Sequence, residues 1–139
     1  MIALDTNILI YLLVKSQAEH PRARRWIEAN RDALAITHTN IAELLRLLTH
    51  PRVFPRPLNL VSATQLIDEF IRAFDVTVLE ESETWWSALG ELAKNMPDVR
   101  GNEVFDARIA LCLQFNGIKE VCTLDSDFSK YPFLKVMRI

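Results

Sequence analysis

Residues 1–14 read MIALDTNILIYLLV, and this stretch decides the fold class. Its first four residues form a short apolar run typical of a buried strand, and the polar trio of Asp5, Thr6 and Asn7 ends that run. A helical pattern of apolar residues follows from Ile8. We therefore predict a β-strand that turns directly into a helix, with Asp5 at the carboxyl end of the strand.

The same alternation of short apolar runs and longer helical segments continues along the chain. We predict further strands at residues 35–37, 76–79, 121–124 and 135–137. Helices are predicted at residues 60–74 and 83–94, and another should follow Asn102 and end at the stop signal Asn116-Gly117. Alternation of this kind predicts an α/β fold with a parallel sheet flanked by helices.

Length and composition set the scale of the protein. The 139 residues are half hydrophobic and 24% charged, which is a globular balance, and we expect one domain over residues 1–139. Cys112 and Cys122 lie among apolar neighbours and are predicted to be buried thiols. The apolar run at residues 8–14 lacks the flanks of a signal peptide and is too short to span a membrane, so we expect a cytoplasmic protein.

The formal net charge of −2 gives no long-range attraction toward a polyanion, so a nucleic-acid site would have to be locally basic. Two stretches are candidates, one with Arg22, Arg24 and Arg25, the other with Arg46, His50, Arg52 and Arg56. Either could equally be a solvated helix face or loop.

Two acids follow predicted strands. Asp5 ends the first strand, and Asp125 ends the run VCTL, with Asp127 two residues later. In open parallel sheets this edge is where ligands bind. Asp5 could instead cap the helix that follows it. Asp127 is explained equally well as a turn residue.

Two further acids lie near predicted helix starts. Glu43 follows Asn40 at the spacing of a capping box, so capping is its simplest explanation. Asp106 has mainly apolar neighbours after Asn102, and a buried carboxylate needs a charged partner or a metal. Pairing with an arginine of the same helix, or partial exposure, would also account for Asp106.

Four carboxylates at one sheet edge would require a cation. Two of them about 4 Å apart repel by roughly 4 kcal/mol at an effective dielectric constant near 20. Mg²⁺ or Mn²⁺ suits oxygen ligands, and the three histidines, at positions 20, 38 and 50, are too scattered to indicate zinc.

Four sequence blocks together resemble the PIN-domain ribonucleases of the VapC toxin type. The blocks are ALDTNILI, TNIAELLR, VFDARIALCL and CTLDSDF, and the resemblance covers nearly the whole chain. It implies a three-layer α/β/α sandwich with a central, mainly parallel sheet. It also implies that three acids hold Mg²⁺ or Mn²⁺, namely Asp5, Glu43 and Asp106, with Asp125 as the usual fourth. The supporting residues that it implies are Thr6, Asn7 and Thr123, and Asp127 has a less defined role.

The same resemblance implies a function and two partners. The function is that of a metal-dependent endoribonuclease, the toxin of a toxin–antitoxin pair, in which the bound ion activates water to attack an RNA phosphodiester. The partners are a small antitoxin and a second copy of the chain. Arg46 and His50 are candidate RNA contacts because they could share a helix face with Glu43.

Two other functions compete with this one. Asp125-Ser-Asp127 resembles the DxD of haloacid-dehalogenase-like phosphohydrolases, but that motif belongs after the first strand, where this chain has Asp5-Thr6-Asn7. The second is a catalytically idle module whose acids dock a basic peptide.

Overall fold

A five-stranded parallel sheet forms the centre of the protein. The computed structural model describes residues 1–139, except for the side chain of Asp32. The strands are β1 (Ile2–Leu4), β2 (Leu34–Thr37), β3 (Thr77–Leu79), β4 (Glu120–Cys122) and β5 (Lys135–Met137). Their order is β3-β2-β1-β4-β5, and every neighbouring pair is parallel. The predicted fold class is confirmed.

The helices cover both faces of this sheet. They are α1 (Thr6–Leu13), α2 (His20–Ala29), α3 (His38–Thr49), α4 (Leu60–Ala73), α5 (Trp85–Asn95) and α6 (Glu103–Phe115). Consecutive residues of β1 face opposite ways, since Leu4 packs with α1 to α4 whereas Ala3 packs with α6. Ile36 and Ala35 of β2 divide in the same way, so the sheet lies between two apolar layers.

The position of β1 determines where a ligand site can form. The chain leaves β1 toward β2 on one side, and β4 pairs with β1 on the other, so the order of the strands reverses at β1. In open α/β sheets, the carboxyl edge at such a reversal is the usual position of a ligand site. Asp5 lies at this point.

Helix α3 starts earlier than the sequence predicts. Its N-cap is Thr37, whose Oγ1 accepts from the Asn40 N–H at 3.1 Å, while Asn40 Oδ1 accepts from the Thr37 N–H at 3.0 Å. The predicted capping box of Asn40 and Glu43 is therefore wrong. Thr37 ends β2 in an extended conformation, so it can cap the helix at once and leaves Glu43 free for another contact.

The predicted buried cysteines and the predicted end of the last helix are confirmed. Both cysteines are free and buried, and burial raises the pKa of Cys112 to about 11 and that of Cys122 to about 12. Helix α6 is followed by Asn116 and by Gly117 at φ 69°, a left-handed conformation that favours glycine. Among the helices of the described residues, none combines the length and the apolar character needed to cross a membrane.

Candidate functional site

Asp5 caps helix α1 and is also held toward β4. Its side chain is 7% exposed, Oδ1 accepts from the Thr6 N–H at 2.7 Å, and Oδ2 accepts from the Thr123 hydroxyl at 2.6 Å. The capping role considered for Asp5 is therefore real. It does not exclude a second role, because each carboxylate oxygen has a further lone pair.

Thr123 links three polar residues of the site. Its fully buried hydroxyl donates to Asp5 Oδ2 and accepts from Asn7 Nδ2 at 3.2 Å and from the Asp125 N–H at 2.9 Å. A hydroxyl has one proton and two lone pairs, so these three bonds use its full capacity. Thr123 thus fixes the end of β4 against the end of β1.

A second chain of hydrogen bonds orients Glu43. The Thr6 hydroxyl donates to Glu43 Oε2 at 2.7 Å and accepts from Asn40 Nδ2 at 3.1 Å. Asn40 is buried, and its Oδ1 also accepts from the Thr37 hydroxyl at 2.8 Å. Sequence reasoning missed Thr37 and Asn40 as residues of the site. The spacing of threonine and asparagine at the end of β2 was the available signal.

The acids from the second half of the chain are more exposed. Asp106 is partly buried in the first turn of α6, and the nearest arginine of that helix, Arg108, pairs with Glu81 at 2.6 and 2.7 Å instead. Asp125 is exposed, and its Oδ1 accepts from the Asp127 N–H at 3.0 Å.

Asp127 begins a short 3₁₀ turn, and its carboxylate lies 3.5 Å from Lys130 Nζ. These contacts fit the turn role that the sequence allowed for Asp127.

The four acids share one electrostatic environment, and we call Asp5, Glu43, Asp106 and Asp125 the acidic centre. Burial raises the pKa of Asp5 to about 6, and the charges of Glu43 and Asp125 add to this, against the hydrogen bonds from Thr123 and Thr6. Burial also raises the pKa of Asp106 to about 7, with further contributions from the charges of the other three acids and of Asp127.

The donor set of the acidic centre suits a hard divalent cation. Every candidate ligand is a carboxylate oxygen, and a cation would offset both the burial and the mutual repulsion that raise the two pKa values. No three acidic, histidine or cysteine side chains of the described residues lie close enough together to hold one ion directly. Mg²⁺ commonly binds through one or two carboxylates and keeps several waters, so the donor chemistry fits without direct contact from all four.

A cleft of about 410 Å³ opens beside Glu43, and we call it the Glu43 cleft. Its other lining residues are His38, Thr39, Ala42, Arg46, Phe105 and Arg108. Arg46, a candidate RNA contact, is therefore next to the acidic centre.

His50, the other candidate, caps the far end of α3, and its Nδ1 accepts from the Arg52 N–H at 3.0 Å. It does not line this cleft among the residues that the structure describes. In the other basic stretch, Arg24 pairs with Glu28 of the same helix at 3.1 Å, as on a solvated helix face.

Comparison with known proteins identifies a matching family model and similar ribonucleases. A family model described as "PIN domain" matches residues 2–134. Ribonuclease VapC24 of Mycobacterium tuberculosis is 31% identical over 98% of this chain and 94% of its own length. Ribonuclease VapC43 of the same species is 32% identical over 79% of this chain and 76% of its own length.

Solved structures share the fold at lower identity. Mycobacterium tuberculosis VapC20, described as a toxin that cleaves the sarcin-ricin loop, superposes with a TM-score of 0.74 at 20% identity, covering 96% of this chain and 97% of that one. VapBC2 from Rickettsia felis, bound to a DNA fragment from its promoter, superposes with a TM-score of 0.70 at 19% identity, covering 99% of this chain and 98% of that one. At these identities the likeness establishes the fold alone.

Proposed function

Because the chain belongs to the PIN domain family and has VapC ribonucleases among its relatives, we propose that it is a Mg²⁺-dependent endoribonuclease, the toxin of a toxin–antitoxin pair. Its substrate is RNA, and its metal ligands come from the acidic centre, with Mn²⁺ as an alternative ion. Residues 1–139 act as one domain in this proposal.

One observation supports this function more than any other. Asp5 and Asp106 have pKa values raised to about 6 and about 7, yet the fold holds them near two further acids at the reversal of strand order. Repelling carboxylates lower the stability of the folded protein. Their placement is useful if a divalent cation binds there.

Each residue has a task that follows from its contacts. A bound divalent ion would lower the pKa of the water that it holds and would neutralise charge that develops on the phosphate. Asp5 is held in place by Thr6 and Thr123, so its carboxylate offers the ion a fixed ligand. Glu43 is oriented by the Thr6 hydroxyl. Arg46 lines the cleft beside Glu43 and would contact a phosphate of the RNA backbone.

The acidic centre also suits inhibition by a protein partner. A basic side chain of an antitoxin would pair with these carboxylates and compete with the metal. Solved relatives of the same fold include a toxin–antitoxin complex from Klebsiella pneumoniae, with a TM-score of 0.61 at 19% identity. We extend the proposal to a small antitoxin, a homodimer and a cytoplasmic location, where RNA is available.

The first experiment is cleavage of a structured RNA by the purified protein with Mg²⁺ or Mn²⁺. Asp5→Asn and Asp106→Asn should each lose activity at least about 100-fold, because each removes a charged ligand. Asp68→Asn, an exposed aspartate of α4, is the matched control and should keep full activity. Circular dichroism verifies that each variant is folded.

Other outcomes separate the competing functions. Release of phosphate from p-nitrophenyl phosphate without RNA cleavage would indicate a phosphohydrolase. Absence of cleavage by the wild type, with no metal binding in calorimetry, would overturn the nuclease proposal and favour the idle binding module.

A further inference from the structure

The Glu43 cleft lies beside the acidic centre and has its own chemistry. We propose that it binds one base of the RNA next to the bond that is cut, and so sets the base preference of the enzyme. Phe105 is the stacking surface, Thr39 the hydrogen-bonding group and Arg46 the phosphate contact. This inference rests on the proposed ribonuclease function and adds a base-recognition site to it.

The walls of the cleft come from the helices that carry two of the acids. Thr39 and Arg46 lie on α3 on either side of Glu43 in the sequence, and Phe105 directly precedes Asp106 on α6. Glu43 itself lines the cleft. A base bound here is therefore part of a nucleotide that adjoins the acidic centre.

Thr39 presents a buried hydroxyl with no partner. The residue is 6% exposed, and its Oγ1 makes no hydrogen bond to the side chains or backbone that the structure describes. Threonine in a helix usually bonds to the carbonyl three or four residues earlier, as Thr49 does with Leu45 at 2.8 Å. Thr39 lies in the first turn of α3, so the residue four positions earlier, Ala35, belongs to strand β2. The Thr39 hydroxyl is therefore unsatisfied and covered, and a change of the Thr39 side-chain rotamer would bring it to a ligand in the cleft, toward which it could donate or accept.

Phe105 supplies an exposed aromatic surface in the same cleft. It is 45% exposed, although phenylalanine is usually buried. Bases of unpaired RNA stack on such rings, and this stacking is a main source of affinity in sequence-selective RNA binding. Ala42 is small and exposed in the same wall, and a cleft of about 410 Å³ lies within the ordinary range for small-ligand sites.

Arg46 gives the cleft a free cationic group for a phosphate. Arg46 is exposed and forms no ion pair with the side chains that the structure describes. Arg108 is neutralised by Glu81, and His38 Nε2 lies 3.5 Å from Glu80. Arg46 is therefore the one arginine lining the cleft that no ion pair among the described side chains neutralises, and it can contact a phosphate, whereas Glu43 on the same wall belongs to the acidic centre.

The test compares Phe105→Ala and Thr39→Val with Phe115→Ala, which removes an exposed phenylalanine from the other end of α6. After the cut site of an RNA hairpin is mapped, each of the four bases is placed at the two flanking positions. The ratio of kcat/KM between the best and the worst base is then measured. Thr39→Val should reduce this ratio about tenfold, because it removes a group that distinguishes base edges, whereas Phe105→Ala should lower kcat/KM about tenfold for every base and Phe115→Ala should change neither. A ratio left unchanged by Thr39→Val, or a kcat/KM left unchanged by Phe105→Ala, would overturn the inference while the nuclease function stands.

A binding measurement decides the inference even if the wild type cuts no RNA. The affinity of a fluorescein-labelled single-stranded RNA hexamer is measured by anisotropy with Asp5→Asn protein, alone and combined with Phe105→Ala or Phe115→Ala. We expect an affinity loss of about tenfold for Phe105→Ala only. If Phe105→Ala leaves the RNA affinity unchanged but weakens the binding of an arginine-containing peptide, the cleft docks a protein and the inference is wrong.

Discussion

Replacing Asp106 by asparagine should stabilise the metal-free protein while it removes activity. The pKa of Asp106 is raised from 3.8 to about 7 because the residue is partly buried and faces four other acids. Asparagine has nearly the same shape and no charge, so it relieves both effects.

The size of the effect follows from the shift in pKa. A rise of about 3 units corresponds to about 4 kcal/mol of stability lost at pH values above 7, if solvent screening is ignored. Asp106 is only partly buried, and screening reduces the expected gain for Asp106→Asn to about 2 kcal/mol. For a chain of this length, such a gain raises the melting temperature by roughly 5–10 °C.

The dependence on pH has a definite sign. Because the folded pKa lies above the unfolded value, the folded wild type takes up protons between about pH 7 and about pH 4 and becomes more stable as the pH falls through this range. The advantage of Asp106→Asn is therefore full above about pH 7 and disappears near pH 4.

Thermal unfolding in EDTA at pH 7.5 and pH 5 measures this difference, with Asp68→Asn as the control for a distant exposed aspartate. Added Mg²⁺ should stabilise the wild type and not Asp106→Asn, since a ligand stabilises only the protein that binds it. If Asp106→Asn is less stable than the wild type in EDTA at pH 7.5, the acids of this site do not repel one another and the reasoning fails.

Three further predictions test two residues that hold the site together and the competition between protons and Mg²⁺ for its acids. Thr123→Val should lower RNA cleavage about 10- to 100-fold without unfolding the protein, because Asp5 loses its hydrogen bond at 2.6 Å. Thr123→Ser keeps a hydroxyl and should retain cleavage. Full activity in Thr123→Val would show that Asp5 needs no such support. Asn40→Ala should cost about 2 kcal/mol in urea unfolding, because it removes a buried amide and half of the capping box of α3, and an unchanged midpoint would contradict this role. At limiting Mg²⁺, cleavage should increase from about pH 6 to about pH 8, because protons compete with the ion for Asp5 and Asp106; a midpoint that does not move to lower pH as Mg²⁺ is raised would argue against that competition.

The strands and the fold class could be predicted because each strand is three or four residues long and mostly apolar. The ends of all five strands lie within two residues of the predicted positions. Short apolar runs between helical segments are typical of buried strands in a parallel sheet. Asp5 and Asp125 were selected because the ends of parallel strands meet at one edge, whereas Glu43 and Asp106 lie near helix starts and were selected through the resemblance to the PIN-domain ribonucleases. Their roles as metal ligands stay a prediction.

The start of α3 could not be predicted, because two capping patterns overlap in THTNIAE. Asn40 and Glu43 have the usual spacing of a capping box, and so do Thr37 and Asn40. The pairing of β2 with β3 extends to Thr37, so the strand ends there and the earlier pattern applies. Such a choice depends on contacts between strands, which local sequence does not encode.

The Glu43 cleft was beyond sequence reasoning for a different reason. Thr39 and Phe105 are far apart in the chain and meet only because α3 and α6 approach each other at the carboxyl edge of the sheet. Arg46 lines the cleft, whereas His50 lies at the end of α3, and this difference depends on where α3 ends. Only the assembled fold determines these positions.

The hydrogen bond between Asp5 and Thr123 has a consequence for translation. The two residues are 118 positions apart, and strand β1 pairs with β4 from the same late part of the chain. At synthesis rates of about 5–20 residues per second, several seconds pass between the emergence of Asp5 and that of its partner. A chain that ends before β4 lacks both the strand that pairs with β1 and the hydroxyl that holds Asp5 Oδ2, so we expect such a fragment to be inactive.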